Sequence, residues 1–184
     1  MNELHTRCLD LFPEWLRALA ADAGELSKLL ASPSEPESTR RYVAGGLNYL
    51  FKSLDLIPDG IEDLGFLDDA FVIRVAAALA IKEAHQETGT APVAPVLARL
   101  AADTKLVADL LGKDYVRLES YVKTLTRGIA RGRTVDDILH DDTIRAAFLH
   151  EVSGWAASYQ TPSFSRDEKN LVKLQSFLGA KLPA

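Results

Sequence analysis

The chain has a single cysteine and no long uncharged apolar run, and both absences limit what it can be. Cys8 alone cannot form an intrachain disulfide or a thiolate metal cluster, so we expect it to be a small core residue. The longest charge-poor apolar stretch, residues 70–81, is interrupted by Arg74. It is shorter than the roughly 20 residues that cross a bilayer. We therefore expect no transmembrane segment, and because the N-terminus has no signal-peptide pattern we predict a cytoplasmic location.

Basic residues are missing from one short stretch. The 184 residues include 21 Lys and Arg and 26 Asp and Glu, a net charge of −5. Residues 53–69 contain no basic residue and six acidic ones: Asp55, Asp59, Glu62, Asp63, Asp68 and Asp69. The other 167 residues carry 21 basic and 20 acidic side chains, so the acidity is local. A generally basic nucleic-acid binder is excluded, and we expect no nucleic-acid partner.

The apolar spacing is helical nearly everywhere, and no segment has the alternation of a strand. Apolar residues recur at intervals of three and four, as at Leu4, Cys8, Leu11, Trp15 and Leu19. The sequence predicts an all-α fold, with residues 1–184 as one domain in a compact bundle of about seven or eight helices. Residues 66–87 are predicted to form one helix, and beyond Asp69 it is apolar nearly all round, from Phe71 to Leu79, which predicts a buried central helix.

Several local features predict helix boundaries. Pro13 predicts that the first helix breaks near Phe12 and restarts. The pair Gly45-Gly46, inside a predicted helix ending near Lys52, indicates either close contact with another backbone or a tolerant surface. Helix caps are predicted at three places: Ser34 with Glu37, Thr134 with Asp136 and Asp137, and Ser165 with Glu168.

The C-terminal half, residues 91–184, is predicted to be helical and is of unrecognised type. A loop at 88–92 should precede a helical hairpin formed by residues 93–111 and 115–129. Lys123, Arg127 and Arg131 have the spacing of one helix face. Such a stripe could contact phosphates or an acidic partner, although a solvated surface is the simpler interpretation.

Two short strings stand at a fixed separation in the acidic stretch: Asp-Leu-Ile-Pro-Asp at 55–59 and Gly-Phe-Leu-Asp-Asp at 65–69. With the aromatic Tyr49 before them, they resemble the signature of the YkvA-like family, bacterial proteins that share a domain of unknown function. The resemblance covers about residues 42–81. Ser53 and Glu62 depart from the pattern, because the family usually has proline at both positions.

The resemblance implies a bacterial protein but no reaction, since the family has no settled activity. Family members are often associated with membranes through hydrophobic segments, which this sequence lacks. Peripheral contact with a membrane surface is therefore kept only as an alternative.

Four aspartates of the acidic stretch are candidate metal ligands: Asp55, Asp59, Asp68 and Asp69. Carboxylates from a turn and from a helix start could converge on Mg²⁺, Mn²⁺ or Ca²⁺, which prefer oxygen ligands. The alternative is structural. Aspartates beside a proline turn or a helix N-terminus accept backbone N–H groups. One of them could also pair with Arg74, which would be costly to bury unpaired.

These alternatives define three hypotheses for function. The first is a non-catalytic interaction or scaffold module, in which the acidic turn fixes the angle between two helices and an unknown protein is the partner. The second is a divalent-metal-binding protein or metal-dependent hydrolase that uses the four aspartates. The third is a peripheral membrane protein. The sequence predicts no other cofactor and leaves both enzymatic activity and oligomeric state open.

Overall fold

A computed structural model describes residues 1–89 and 92–184 of the chain. Within these residues it contains nine α-helices and one two-stranded antiparallel ribbon, so the all-α prediction is confirmed. The elements in chain order are α1 Glu3–Ala31, α2 Glu37–Tyr49, α3 Leu67–Thr88, α4 Pro95–Ala102, α5 Thr104–Leu111, α6 Asp114–Leu125, β1 Ile129–Ala130, β2 Arg133–Thr134, α7 Val135–His140, α8 Asp142–Ser158 and α9 Glu168–Lys181. The loop predicted at 88–92 includes residues 90 and 91, which lie outside the described residues.

Helix α3 is the buried centre of the bundle, as the sequence predicts for residues 66–87. It contacts α1, α2, α4, α5 and α6, and its apolar side chains from Leu67 to Ala77 are buried. Apolar side chains all round a helix require neighbours on every side. The buried aromatic Phe71 packs against both Phe12 and Trp15 of α1.

The prediction that α1 breaks near Phe12 is wrong, because the helix continues through Pro13 to Ala31. A proline inside a helix removes one backbone hydrogen bond and costs about 3 kcal/mol. The residues on either side of it, Leu9, Phe12 and Leu16, are almost completely buried. Burial of such side chains contributes about 1.5–3 kcal/mol each, which offsets the proline.

Close backbone approach explains the glycine pair in α2. A Cβ atom on Gly45 would lie 3.0 Å from the carbonyl oxygen of Leu125, at the end of α6. A Cβ atom on Gly46 would lie 3.4 Å from the Cβ of Ala76 in α3. Of the two alternatives that the sequence leaves open, the contact with a neighbouring backbone is therefore the correct one.

The chain after α3 departs from the predicted helical hairpin. The helix predicted at 93–111 is interrupted at Asp103, and α6 ends at Leu125 rather than at Ile129. Residues 129–134 form the ribbon, with Gly132 and Arg131 at positive φ in its turn. Arg131 therefore does not extend the face of α6, and the predicted helical stripe of three basic residues is wrong.

Of the three predicted caps, only that of α7 is confirmed. The Thr134 side chain accepts the Asp137 N–H while the Asp137 carboxylate accepts the Thr134 N–H. Helix α2 begins after Pro36 without a side-chain cap, and α9 is capped by Asp167. The capping boxes predicted at Ser34 and Ser165 are therefore wrong.

Cys8 is fully buried in the core, as predicted. Among the described residues, no helix is sufficiently long and apolar to cross a bilayer.

Candidate metal centre

The acidic turn, residues 50–66, connects α2 to α3 and is fastened to α3 by Asp68. The Tyr49 hydroxyl, at the end of α2, donates to Asp68 Oδ2 over 2.5 Å and accepts the Leu56 N–H over 2.8 Å. The Ile57 N–H donates to the same Asp68 oxygen over 3.1 Å. All three interactions are buried, so they fix the first half of the turn against the start of α3.

Gly65 allows the second half of the turn to fold back onto Asp59. A Cβ atom at Gly65 would lie 2.1 Å from the Asp59 carbonyl oxygen, a distance that excludes any side chain. The Gly65 N–H donates to the Ile61 carbonyl over 2.8 Å. This approach holds Asp59 over the residues that begin α3.

Backbone strain is concentrated in the same turn. Asp63 and Phe66 adopt left-handed conformations, with φ of 65° and 67°. Such conformations cost of order 1 kcal/mol or more for residues with a Cβ atom and are often found at functional sites. Phe66 is held in place by Trp155 and Tyr159 of the C-terminal region, whose rings pack against it.

Three of the four predicted ligands meet at one place. Asp59, Asp68 and Asp69 each place a carboxylate oxygen within 4.8 Å of those of the other two. Asp68 is fully buried, Asp69 is 3% exposed, and Asp59 is exposed to solvent. We call these three residues the carboxylate cluster. Asp55, the fourth candidate, is half-buried beside the cluster and outside this group.

Burial and mutual repulsion raise the pKa values of these carboxyl groups. The pKa of Asp69 lies well above its usual value of 3.8, through burial first and then through the charges of Asp68, Asp59 and Asp55. Burial raises the pKa of Asp68 to about 6, although the hydrogen bonds from Tyr49 and Ile57 oppose the shift. Burial, Asp68 and Asp59 raise the pKa of Asp55 to about 7. Deprotonated at neutral pH, these groups would repel one another strongly.

Several oxygens of the site have no hydrogen-bond partner. Asp68 Oδ1, Asp69 Oδ2 and Asp55 Oδ1 are buried and accept no hydrogen bond from the residues that the structure describes. Leaving a buried polar atom unsatisfied costs about 1–3 kcal/mol. Unpartnered buried oxygens on carboxylates that converge, as those of Asp68 and Asp69 do, fit a hard divalent cation, which takes oxygen ligands.

The structural alternative accounts for only part of the cluster. Asp68 accepts the Ile57 N–H, yet α3 has no side-chain cap: its N-cap residue is Phe66. Within residues 1–89 and 92–184, no backbone N–H donates to Asp55 or Asp59. The interpretation that Asp68 or Asp69 caps the helix is therefore wrong, and so is the interpretation that Asp55 and Asp59 accept backbone N–H groups beside the proline turn.

Arg74 finds its partners elsewhere. Its Nε lies 3.0 Å from Asp103 Oδ2, its guanidinium stacks on the Trp15 ring at 4.1 Å, and Asp22 lies at 4.0 Å. The prediction that Arg74 pairs with an aspartate of the acidic turn is wrong, because Arg74 lies more than one helical turn beyond Asp69 in α3. No Lys or Arg among the described residues is within 4.0 Å of the four candidate aspartates.

Asp59 also lines an open groove of about 710 Å³. One wall is the turn after α2, and the other is formed by residues 129–132 of the ribbon. The groove is lined by Leu50, Phe51, Lys52, Ser53, Leu54, Asp59, Ile129, Ala130, Arg131 and Gly132. The exposed edge of the carboxylate cluster is therefore reachable from solvent through a cleft with basic and apolar walls.

Comparison with known families supports the resemblance seen in the sequence. Residues 39–74 match the model of a family described as protein of unknown function (DUF1232). This DUF1232 segment covers nearly all of α2, the acidic turn and the start of α3, and it includes all four candidate aspartates and Arg74. Comparisons with curated proteins and with solved structures found no match.

Two features of the site were not predicted from the sequence. Tyr49 belongs to the recognised motif, and its place before the turn could have suggested that its hydroxyl binds a buried carboxylate. The 129–132 wall of the groove comes from a region with no recognised motif, 70 residues beyond Asp59. No local pattern indicated that contact.

Proposed function

We propose that the DUF1232 segment binds a hard divalent cation, Mg²⁺, Mn²⁺ or Ca²⁺, at the carboxylate cluster. The observation that carries this proposal is the convergence of Asp59, Asp68 and Asp69, each with a carboxylate oxygen within 4.8 Å of those of the other two. Asp68 and Asp69 are also buried, and each has an oxygen without a hydrogen-bond partner. Cations of this class are bound by carboxylate oxygens, with the remaining positions taken by water or by ligand oxygens.

The electrostatics support a cation rather than an empty cluster. Burial and like charges raise the pKa values of Asp68 and Asp69, so the carboxylates of the cation-free cluster are costly to keep charged. A divalent cation competes with protons for these oxygens and removes the repulsion among Asp59, Asp68 and Asp69. In this proposal the bound cation fastens the acidic turn to α3 and so fixes the angle between α2 and α3. That role is compatible with a non-catalytic module.

The test is the thermal stability of the full chain with each ion. Mn²⁺, Mg²⁺ or Ca²⁺ should raise the Tm of the wild type. An ion at 100 times its Kd should add about 2.7 kcal/mol to the free energy of unfolding. Asp59→Asn should abolish most of that rise. Asp69→Asn should abolish it and also make the cation-free protein more stable at neutral pH, because burial and the neighbouring acids disfavour the charged form of Asp69.

Glu62→Gln is the matched control. Glu62 is an exposed acid of the same turn and lies outside the cluster, so its substitution should leave the rise intact. A Tm that does not respond to any of the three ions would contradict the proposal.

The other predictions from the sequence stay predictions: a metal-dependent hydrolase, a peripheral membrane protein, an unknown protein partner, bacterial origin and a cytoplasmic location.

A further inference from the structure

The groove beside the carboxylate cluster carries two basic groups, Lys52 and Arg131, and neither has a carboxylate to itself. Lys52 Nζ contacts the Tyr121 hydroxyl at 3.1 Å and lies 5.2 Å from the centre of that ring. Both contacts are with a neutral side chain, and Lys52 forms no ion pair among the described residues. Its charge acts on the nearby Asp55 carboxyl, where it opposes the rise in pKa. The one acid on the groove wall is Asp59, which belongs to the carboxylate cluster.

Arg131, on the opposite wall, shares its acidic partner. It lies 3.2 Å from Glu151, and the guanidinium of Arg133 contacts the other oxygen of the same carboxylate. Two arginines thus share one negative charge. The Arg131 side chain is 58% exposed, so its guanidinium is available to a ligand in the groove.

Apolar side chains stand beside these charges. Leu54 is 81% exposed and Ile129 is 62% exposed, and they line the groove from opposite walls. Exposed large apolar residues are unremarkable when scattered singly, but these two face one cleft of about 710 Å³. That volume is within the range of small-molecule sites, roughly 300–1,000 Å³.

We propose that the groove binds a phosphate ester whose phosphoryl oxygens complete the coordination of the cation and contact Lys52 and Arg131. The inference rests on the proposed function, because a cation on the carboxylate cluster borders the groove at Asp59. Mg²⁺ is commonly held by one or two carboxylates together with ligand phosphates. Lys and Arg are the usual partners of phosphate oxygens, and Leu54 and Ile129 fit an apolar ester group.

The first experiment titrates the full chain with hexyl phosphate by calorimetry, in Mg²⁺ and again in EDTA. We expect binding in Mg²⁺ and at least about tenfold weaker binding in EDTA, since the cation contributes a charge-assisted contact. Hexanol, which lacks the phosphate, should not bind detectably. Equal affinity in Mg²⁺ and EDTA would overturn the inference.

Variants locate the site. Lys52→Gln and Arg131→Gln should each weaken hexyl phosphate binding about fivefold, the upper range for an exposed ion pair. Arg131→Gln should leave the Mg²⁺-induced rise in Tm unchanged. Lys105→Gln is the control: Lys105 is an 80% exposed lysine on α5 that pairs with Asp109, outside the groove. Unaltered affinity in both groove variants would overturn the inference.

Vesicles distinguish a soluble ester from a lipid headgroup. Phosphatidylcholine vesicles with and without phosphatidic acid are floated with the protein in Mg²⁺. Flotation that requires both phosphatidic acid and Arg131 identifies a lipid as the source of the phosphate, and binding of hexyl phosphate alone identifies a soluble ester. If Mg²⁺ raises the Tm but neither probe binds, this inference fails and the cation site stands. If Mg²⁺ has no effect on the Tm, both proposals fail.

Discussion

Helix α3 carries two buried groups of charges that are built in opposite ways. Arg74 lies among opposite charges, with Asp103 at 3.0 Å and Asp22 at 4.0 Å. Arg99 in turn lies 2.6 Å from Asp22. One and a half helical turns earlier, Asp68 accepts hydrogen bonds from Tyr49 and Ile57, but the charges that act on Asp69 are those of other acids. Burial costs both groups their hydration, but only the first is compensated by opposite charges within the protein. The uncompensated group is therefore where a ligand of opposite charge is expected.

Removing the centre of the compensated group should have the largest effect. Arg74→Met leaves the buried Asp22 and the half-buried Asp103 without the guanidinium between them. Breaking a buried ion pair from one side costs about 3 kcal/mol or more, so the urea midpoint should fall sharply. The Tm rise on adding cation should persist in the variant. Loss of that rise with the fold intact would show that the Arg74 group and the carboxylate cluster are energetically coupled. That result would contradict the claim that the two groups are independent.

Gly65→Ala should damage the uncompensated group through its backbone. The added Cβ would lie 2.1 Å from the Asp59 carbonyl, so the turn must move. Overpacking of this kind costs about 1–3 kcal/mol, and displacement of Asp59 should also weaken the response to cation. Gly60→Ala is the matched control in the same turn, because a Cβ there meets nothing within 4 Å. Urea unfolding and thermal shift of both variants measure the difference.

The pH dependence of the stability of the cation-free protein should report on the acidic group and not on the Arg74 group. The folded state raises the pKa of Asp68 to about 6 and that of Asp55 to about 7, from a usual 3.8. Since the folded protein binds these protons more tightly than the unfolded chain, this contribution to stability is fully present below pH 3.8. It is lost as the pH rises through about 6–7.

A comparison with Asp69→Asn isolates this contribution. The stability of the variant relative to wild type should increase from pH 4 to pH 8, and Mg²⁺ should remove most of the difference by stabilising the wild type. A constant difference across this range would contradict the assignment of repulsion to the carboxylate cluster.

The smallest effect is expected from an acid of the turn that has its own partners. Asp63 accepts the Ser165 N–H over 2.6 Å and the Ser165 hydroxyl over 2.8 Å, which ties the turn to the segment before α9. Burial raises the pKa of Asp63, but the hydrogen bonds from Ser165 help to outweigh it, so the pKa lies below its usual value, in contrast to the cluster. Asp63→Asn should cost about 0.5–1 kcal/mol and leave the cation response unchanged. An altered response would extend the site beyond the three carboxylates.

The sequence predicts the fold class and the central helix well. The apolar residues on every face of α3 can be read from the sequence of that helix alone. It also identifies the acidic turn as the place to examine. The partner of Arg74 could not be predicted in this way, since Asp22 and Asp103 come from α1 and the α4–α5 junction, more than 25 residues away. The continuous α1 and the end of α6 depend equally on packing that no local propensity reveals.

The local origin of the acidic turn bears on the order of folding. Tyr49 and the four candidate aspartates all lie within 21 consecutive residues, so closing these contacts costs little chain entropy. A cation that binds them can act early, and we expect it to accelerate refolding more than it slows unfolding. The groove requires residues 129–132 as its second wall and therefore forms only when the distant part of the chain arrives. In this order the protein would bind the cation first, and the groove that could hold an anionic ligand would form later.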